Sequence, residues 1–463
     1  MQVSKFALLF LIVFFLLDGA AKADIRHQFL SSLNLSQEYT DNYNLNPENE
    51  KSEWLTHVSP TLKYRLLGKR SQIELNYSPK ATYYLKREEE TDLSHEAGLQ
   101  SSLQVSKRLR FVLSDSFEYT EDPFASPRNA TSEELDLTTW QRGDPYYTNT
   151  ASTGLFFTPS KFTSLSLNYS NSLRRERDPY DKNNYSGNLS YRFGKKDSIS
   201  LGYTHQDTES ESNATRNSRK KTPTLNYSYW FTEFWGTSSN LSYTRGDFDQ
   251  EFYSFDRYNG SFRLIRRFSK NLEGYILYAH TSMDYIEPIR QDFEVFKPSL
   301  GIEGSLSSRT TLNMEGGYFY REIETGRTDG GLNSNLEITH SYERGQISLS
   351  GSSGTSQSYF QTENLGFSIY YQGSIGAKYQ ISENVNFRCS GSYRRDRYLD
   401  EDPERTDWNV SSSAKLNYEP YDWLDLNLSE TFRKQRSDDE SNNYTENRIV
   451  LGITLSYGSR GYR

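Results

Sequence analysis

The chain has 463 residues, of which 34% are hydrophobic and 15% aromatic, with 36 Tyr, 26 Phe, a single Cys and a net charge of -8. So few aliphatic residues would leave a water-soluble core of this size unfilled, whereas a disordered chain would lack the aromatics. The acidic balance excludes the basic footprint of a nucleic-acid-binding protein, and the lone Cys389 excludes an internal disulfide.

The first feature in chain order is a leader. Lys5 opens a basic segment, residues 6–17 form an apolar run, and Ala21-Lys22-Ala23 has the A-x-A form of a cleavage site. This is the pattern of a secretory signal over residues 1–23, too short to span a membrane as a helix and set aside from the fold. Residues 24–463 then read as one unit, with no break in composition and no later apolar run long enough for a membrane helix.

From Phe29 onward the chain alternates. Trp54, Val58, Leu62 and Tyr64 share one parity, while Glu53, His57, Ser59, Thr61 and Lys63 share the other. Ile73, Leu75, Tyr77, Ala81 and Tyr83 then alternate with Gln72, Glu74, Asn76, Ser78 and Lys80. Period two means a strand with one apolar and one polar face. Segments of roughly ten alternating residues, repeated along a whole chain, predict a barrel whose apolar face meets lipid and whose polar face lines water. The fold class expected is all-β, a single antiparallel transmembrane β-barrel of about 22 strands, within a range of about 20 to 24.

Short turns at 67–70, 106–108, 194–197, 269–271, 307–309 and 382–384 alternate with longer polar connections, among them 41–52, 121–145, 208–219, 352–362 and 396–407. Short periplasmic turns and longer external loops are the asymmetry of an outer-membrane barrel, here with both termini periplasmic. The run Ile449, Leu451, Ile453, Leu455 and Tyr457 closes the barrel against the first strand near Leu33. The cell outer membrane is the expected location, with its lipids and the barrel-assembly machinery as partners.

Glu38-Tyr39-Thr40-Asp41-Asn42 at the end of the first strand and His57-Val58-Ser59-Pro60 in the second carry a resemblance. They resemble the opening of the outer-membrane β-barrel porin family, including the outer-membrane members associated with exosortase and exopolysaccharide gene clusters. The resemblance implies a barrel serving polysaccharide export or passive permeation. It implies no catalytic or ligand residues.

His27, His57, His95, His205, His280 and His340 are scattered over different strands, and no G-x-S-x-G, H-E-x-x-H or Gly-rich phosphate loop accompanies them. No Cys/His cluster has metal-ligand spacing. The expectation is a protein that is not an enzyme, without metal or cofactor; a barrel enzyme would need His, Ser and Asp side chains to converge from separate strands. The recurrent Asn-x-Ser/Thr triplets, as at Asn168, mainly fall on the polar faces of strands.

The polar parity is the informative one. It collects Lys63, Arg65, Arg263, Arg267, Lys297, Arg321, Lys378, Arg388, Arg394, Lys415, Arg433 and Arg448 against a smaller acidic set that includes Glu74, Glu273, Glu303 and Glu315. A basic lumen favours anionic solutes, and Arg263, Arg267, Arg388 and Arg394 are its candidate residues. Acidic runs at 88–90, 400–402 and 438–440 place the compensating charge on loops. Transporter barrels of 22 strands have a plugged lumen, but alternation from Phe29 leaves no room for a preceding plug domain. The constriction is therefore assigned to the longest loop, 121–145, with Leu135, Leu137 and Trp140 folding inward. The function expected is a pore for passive passage or export of a polysaccharide or other polar, anionic solute. The alternative is a structural or adhesive surface barrel with a closed lumen and partner-binding loops.

Overall fold

The computed structural model describes residues 25–86, 91–120, 146–175, 179–210, 217–249, 253–287, 291–358, 366–401 and 403–458. The expected leader and the 121–145 loop, with its proposed constriction, lie outside the described residues. The first strands are β1 (Arg26–Thr40), β2 (Glu53–Leu67), β3 (Ser71–Tyr84), β4 (Thr91–Ser106), β5 (Leu109–Thr120), β6 (Tyr146–Phe157) and β7 (Thr163–Arg175). There follow β8 (Tyr180–Arg192), β9 (Ser198–Ser210), β10 (Ser218–Trp230), β11 (Trp235–Phe248), β12 (Phe255–Ser269), β13 (Leu272–Tyr285), β14 (Phe293–Ser307) and β15 (Thr310–Ile323). The last are β16 (Thr328–Ser341), β17 (Gly345–Ser358), β18 (Gly366–Ser382), β19 (Val385–Tyr398), β20 (Arg405–Tyr421), β21 (Leu424–Ser437) and β22 (Tyr444–Tyr457).

Each strand pairs antiparallel with the next, and β1 pairs with β22 from Ser31↔Tyr457 to Thr40↔Arg448, so the 22-stranded sheet closes on itself. The strand count is the one the alternation predicts. Closure leaves the barrel no lipid-exposed edge, the condition for a sheet to cross a bilayer. Several short turns repeat a Ser-x-x motif with a local cause. In Ser106-Lys107-Arg108, Ser269-Lys270-Asn271 and Ser307-Ser308-Arg309, the serine Oγ accepts from the amide two residues on, each at 3.2 Å. A serine that mimics a backbone turn in this way starts the reversal, and the register shifts beside it absorb the extra residue.

Which parity faces inward follows from contacts that skip a strand, possible only on the concave face. Arg263 of β12 reaches Glu303 of β14 at 3.5 Å, and Tyr275 Oη of β13 donates to Glu315 Oε2 of β15 at 2.9 Å. The opposite parity carries the exposed apolar residues, among them Leu75, Tyr77, Ile449, Leu451 and Ile453. These therefore face lipid, while Glu74, Asn76, Arg448 and Thr454 face the lumen, as the alternation requires. Ile73 shares the lipid-facing side but is covered by its neighbours. Rings in adjacent strands meet on that outer face, as in Tyr169 with Tyr185 and Tyr243 with Tyr258, both with centroids 4.9 Å apart. They form part of an interfacial aromatic row.

One seam departs from a simple cylinder. β17 continues to Ser358, beyond the loop start expected at residue 352, yet β16 and β17 pair only from Ser334↔Ser353 to Ser341↔Gln346. Beyond that point β16 stays on β15 and β17 stays on β18. The two sheet ends overlap instead of joining. Lys297 Nζ of β14 donates to Thr355 Oγ1 at 2.7 Å, and Phe293 meets Phe367 edge-on at 5.7 Å. Lys297 and Phe293 have lumen parity, whereas Thr355, Phe367 and Ile369 have the parity that lower on β18 faces lipid, at Tyr371 and Ile375. The ends of β17–β19 have thus slid inside those of β13–β16. A small apolar core lies between the layers, with Met283, Val295, Phe319, Ile323 and Leu399 buried in it. Gly366 permits the entry: its φ is +77°, and a Cβ there would come within 2.8 Å of Asp400.

Candidate pore lining

At the end of the lumen that carries the longer connections, several charges are buried and partnered. Arg321 of β15, its side chain 3% exposed, donates to Asp400 Oδ1 at 3.0 Å and lies 3.5 Å from Asp329. Its guanidinium also stacks on Phe367 and Phe293, 4.1 and 4.7 Å from their centroids. Across the barrel closure, Arg448 of β22 donates to Glu38 Oε2 of β1 at 2.5 Å, and Arg433 of β21 donates to the fully buried Glu446 at 3.1 Å. Thr40 Oγ1 donates to the other Glu446 oxygen at 3.1 Å. The first external loop covers this wall. Asn42 Nδ2 donates to Thr445 O at 3.0 Å, and the Tyr43 and Tyr84 hydroxyls meet at 2.8 Å on the lumen side. The sequence assigned the constriction to 121–145; among the described residues, Asn42 and Tyr43 of the 41–52 connection lie against the barrel wall.

Glu38 also brings a histidine into view. His57 Nε2 lies 3.0 Å from Glu38 Oε2, and its Nδ1 lies 3.0 Å from Thr82 Oγ1. A hydroxyl, an imidazole and a carboxylate in line have the connectivity of a hydrolytic triad. All three side chains are buried, however, and the space beside them is about 10 Å³, at most one water. Glu38 is also neutralised by Arg448. No acyl group could reach Thr82, and the arrangement serves to satisfy a buried carboxylate.

The four basic candidates all carry lumen parity but differ in company. Arg263 faces Glu303 and lies 3.9 Å from the Tyr275 centroid; Arg267 Nε donates to Glu273 Oε1 at 2.9 Å. Arg394 grips Asp396 with Nε and Nη2, both at 2.7 Å. Lys63 and Arg65 share Glu74 in the same way, at 3.0 and 2.6 Å. Arg388 is different. It stands directly opposite Lys378 of β18 on one side and Lys415 of β20 on the other. The three cations span about 10 Å of the lumen wall at one level, all exposed, with no ion pair among the described residues. Like charges directly opposite on adjacent strands destabilise a sheet, so this row is not there for the fold.

Hydroxyls continue the lane above the row. Ser390 and Ser413 meet at 2.8 Å, Ser392 and Ser411 at 2.7 Å, and Ser350 and Ser374 at 2.6 Å. Nearer the short-turn end of the opposite wall, a cavity of about 770 Å³ is lined by Lys107, Arg108, Lys161 and Arg192 among serines, with no carboxylate. The sequence carried the signal for the row: Lys378 lies four residues before Ser382 and Arg388 four after Asn384, so a turn at 382–384 sets them face to face.

Closure, alternation and a polar, charged interior define an outer-membrane-type β-barrel. Residues 310–457, about a third of the chain, match the family described as "Putative beta-barrel porin 2". That segment contains Lys378, Arg388 and Lys415. No curated protein matches the chain. Among solved structures, the fold is similar to the siderophore receptor PirA from Acinetobacter baumannii, with 8% identity, TM-score 0.57, and 92% of this chain aligned to 80% of that one. It is also similar to a single-residue mutant of the ferric enterobactin receptor PfeA from Pseudomonas aeruginosa, with 8% identity, TM-score 0.58, and 93% aligned to 80%. The ferric-catecholate import receptor Fiu from E. coli K12 aligns with 10% identity, TM-score 0.59, and 92% against 81%. At these identities the likeness is one of fold.

Proposed function

We propose that this protein is an outer-membrane pore that passes a polar, anion-bearing solute passively, with an acidic polysaccharide as the substrate class. One observation carries the reading: Lys378, Arg388 and Lys415 form a cationic row, with no ion pair among the described residues, beneath a serine-lined lane. An aligned row of cations attracts anions and slows cations, while hydroxyls exchange hydrogen bonds with a sugar chain without holding it. No bond chemistry is involved. The porin-family match over the same strands supports a pore, and the outer-membrane location follows from the same reading.

The test is single-channel recording of the purified protein in planar bilayers. Reversal potentials in a salt gradient should show anion preference that weakens as salt rises. Dextran sulfate should interrupt the current more than neutral dextran of equal size. Replacing the three cations by Gln should abolish both effects while leaving conductance. A specific observation favours a second reading, a closed surface barrel: the overlapped strand ends double the wall at the end that carries the longer connections. Absence of any conductance from correctly folded protein would favour it.

A further inference from the structure

On the outer surface, one cluster of charges stands apart from the rest. Arg395 of β19, Trp408 of β20 and Arg436 of β21 lie on a single cross-strand row, with Arg395↔Trp408 and Trp408↔Arg436 directly opposed. Lys434, two residues before Arg436, places Nζ 5.8 Å from the Trp408 ring centroid. These residues share the lipid-facing parity of Tyr393 and Leu428. Tyr371 extends the row onto β18, and below it on the same face come Tyr393, Val410 and Phe432. Two basic residues at this level on the other wall are paired with acids: Arg219 lies 3.7 Å from Asp207, and Arg245 contacts both Asp247 and Asp256. Arg395, Lys434 and Arg436 have no carboxylate partner among the described residues. The nearest acids on this face are already engaged, Glu404 by Arg397 at 2.5 Å and Asp438 by the Thr406 amide at 2.7 Å.

We infer that this cluster binds the phosphorylated headgroup of an outer-leaflet lipid, with the acyl chains lying on the apolar face below. Three cations converge where the apolar band ends, the height at which a lipid phosphate meets water, and the Trp408 indole has the amphipathic form suited to that interface. Arginine supplies a fork matched to phosphate oxygens, and lysine a point charge beside it. The inference is independent of what crosses the lumen and rests only on the barrel lying in a membrane with a phosphorylated outer leaflet.

The experiment uses the full-length protein, delipidated in detergent and titrated with bis-phosphorylated lipid A, with bound lipid counted by native mass spectrometry. A basic residue near an anionic lipid surface is worth roughly fivefold in affinity, so the triple variant R395Q/K434Q/R436Q should bind roughly a hundredfold more weakly. Dephosphorylated lipid A should bind the unmodified protein as weakly as the triple variant binds lipid A. The control variant R219Q/R245Q, altered at the same level on the other wall, should bind as the unmodified protein does. Retention of the compact, heat-modifiable band on gels confirms that each variant is folded. Unchanged binding by the triple variant, or equal loss in the control, would overturn the proposal. Full competition by millimolar inorganic phosphate would replace the lipid with a soluble anion and overturn it too.

Discussion

Two stretches of one lumen wall treat charge in opposite ways. Arg321, Glu38 and Glu446 are sealed from water and each has a partner within hydrogen-bond reach. Along Lys378, Arg388 and Lys415, like charges face each other, exposed and without carboxylates among the described residues. The difference separates what the fold requires from what it tolerates. A buried charge must be paired or the strands will not close over it, whereas a row bathed in lumen water persists at small cost because solvent screens the repulsion.

The sharpest way to break this comparison is at Arg321. Arg321→Met removes the buried cation shared by Asp400 and Asp329, leaving Asp329 with Arg327 and Asp400 with the Phe367 amide, and stability in detergent unfolding should fall by up to about 3–5 kcal/mol. Adding Asp400→Leu and Asp329→Leu should recover part of that loss; no recovery would mean that packing on Phe293 and Phe367, and not charge, holds the site. A somewhat smaller effect is expected on the outer face. Leu451→Arg should cost about 2–4 kcal/mol in a bilayer refolding titration, and Thr454→Arg, turned to the lumen, well under half of that. If the two cost the same, the assignment of faces fails.

At the other stretch, stability should move the opposite way. Replacing Lys378, Arg388 and Lys415 by Gln removes two opposed like-charge contacts and should stabilise the barrel slightly, by roughly 0.2–1 kcal/mol per contact. A loss of stability there would show that the row is bound into the fold. The smallest effect concerns the short 3-10 turn Glu440–Asn442, where Asp439 accepts from Ser441 Oγ at 2.7 Å and Ser441 N at 3.1 Å. These bonds hold its carboxyl below the usual range. Its contribution is therefore complete above the ordinary carboxylate pKa and is lost as pH falls through the lowered one. Protection of the turn amides against hydrogen exchange, relative to their intrinsic rate, should fall only under acid, and Asp439→Ala should show the same loss of protection at neutral pH.

Much of the barrel was legible because its signals are local. Alternation assigns faces within a strand, and Ser-x-x turns mark the reversals, so strand number and closure follow from residues close in sequence. The polar parity likewise identified the lumen bases. Their pairing was less legible, since it depends on register: Arg263 finds Glu303 two strands away. Arg394 with Asp396 could have been read directly, because residues two apart on a strand share a face. The seam was illegible. Residues 352–358 read as loop, and they are strand because they pair with β18 as far as Ser358↔Gly366, with Lys297 of β14 bonding Thr355 from far along the chain. No periodicity encodes that contact.

The overlap also changes what strand number means for this barrel. Diameter grows with the number of strands around the perimeter, but where β17–β19 lie inside β13–β16 the wall is doubled and the perimeter contains fewer than 22. The count measured at the base is then an upper bound on the external aperture. Size exclusion becomes a matter of how far one sheet end has telescoped within the other. Substitutions in the Phe293–Phe367 contact could widen or narrow the exit of such a barrel while every strand, turn and register below it stayed the same.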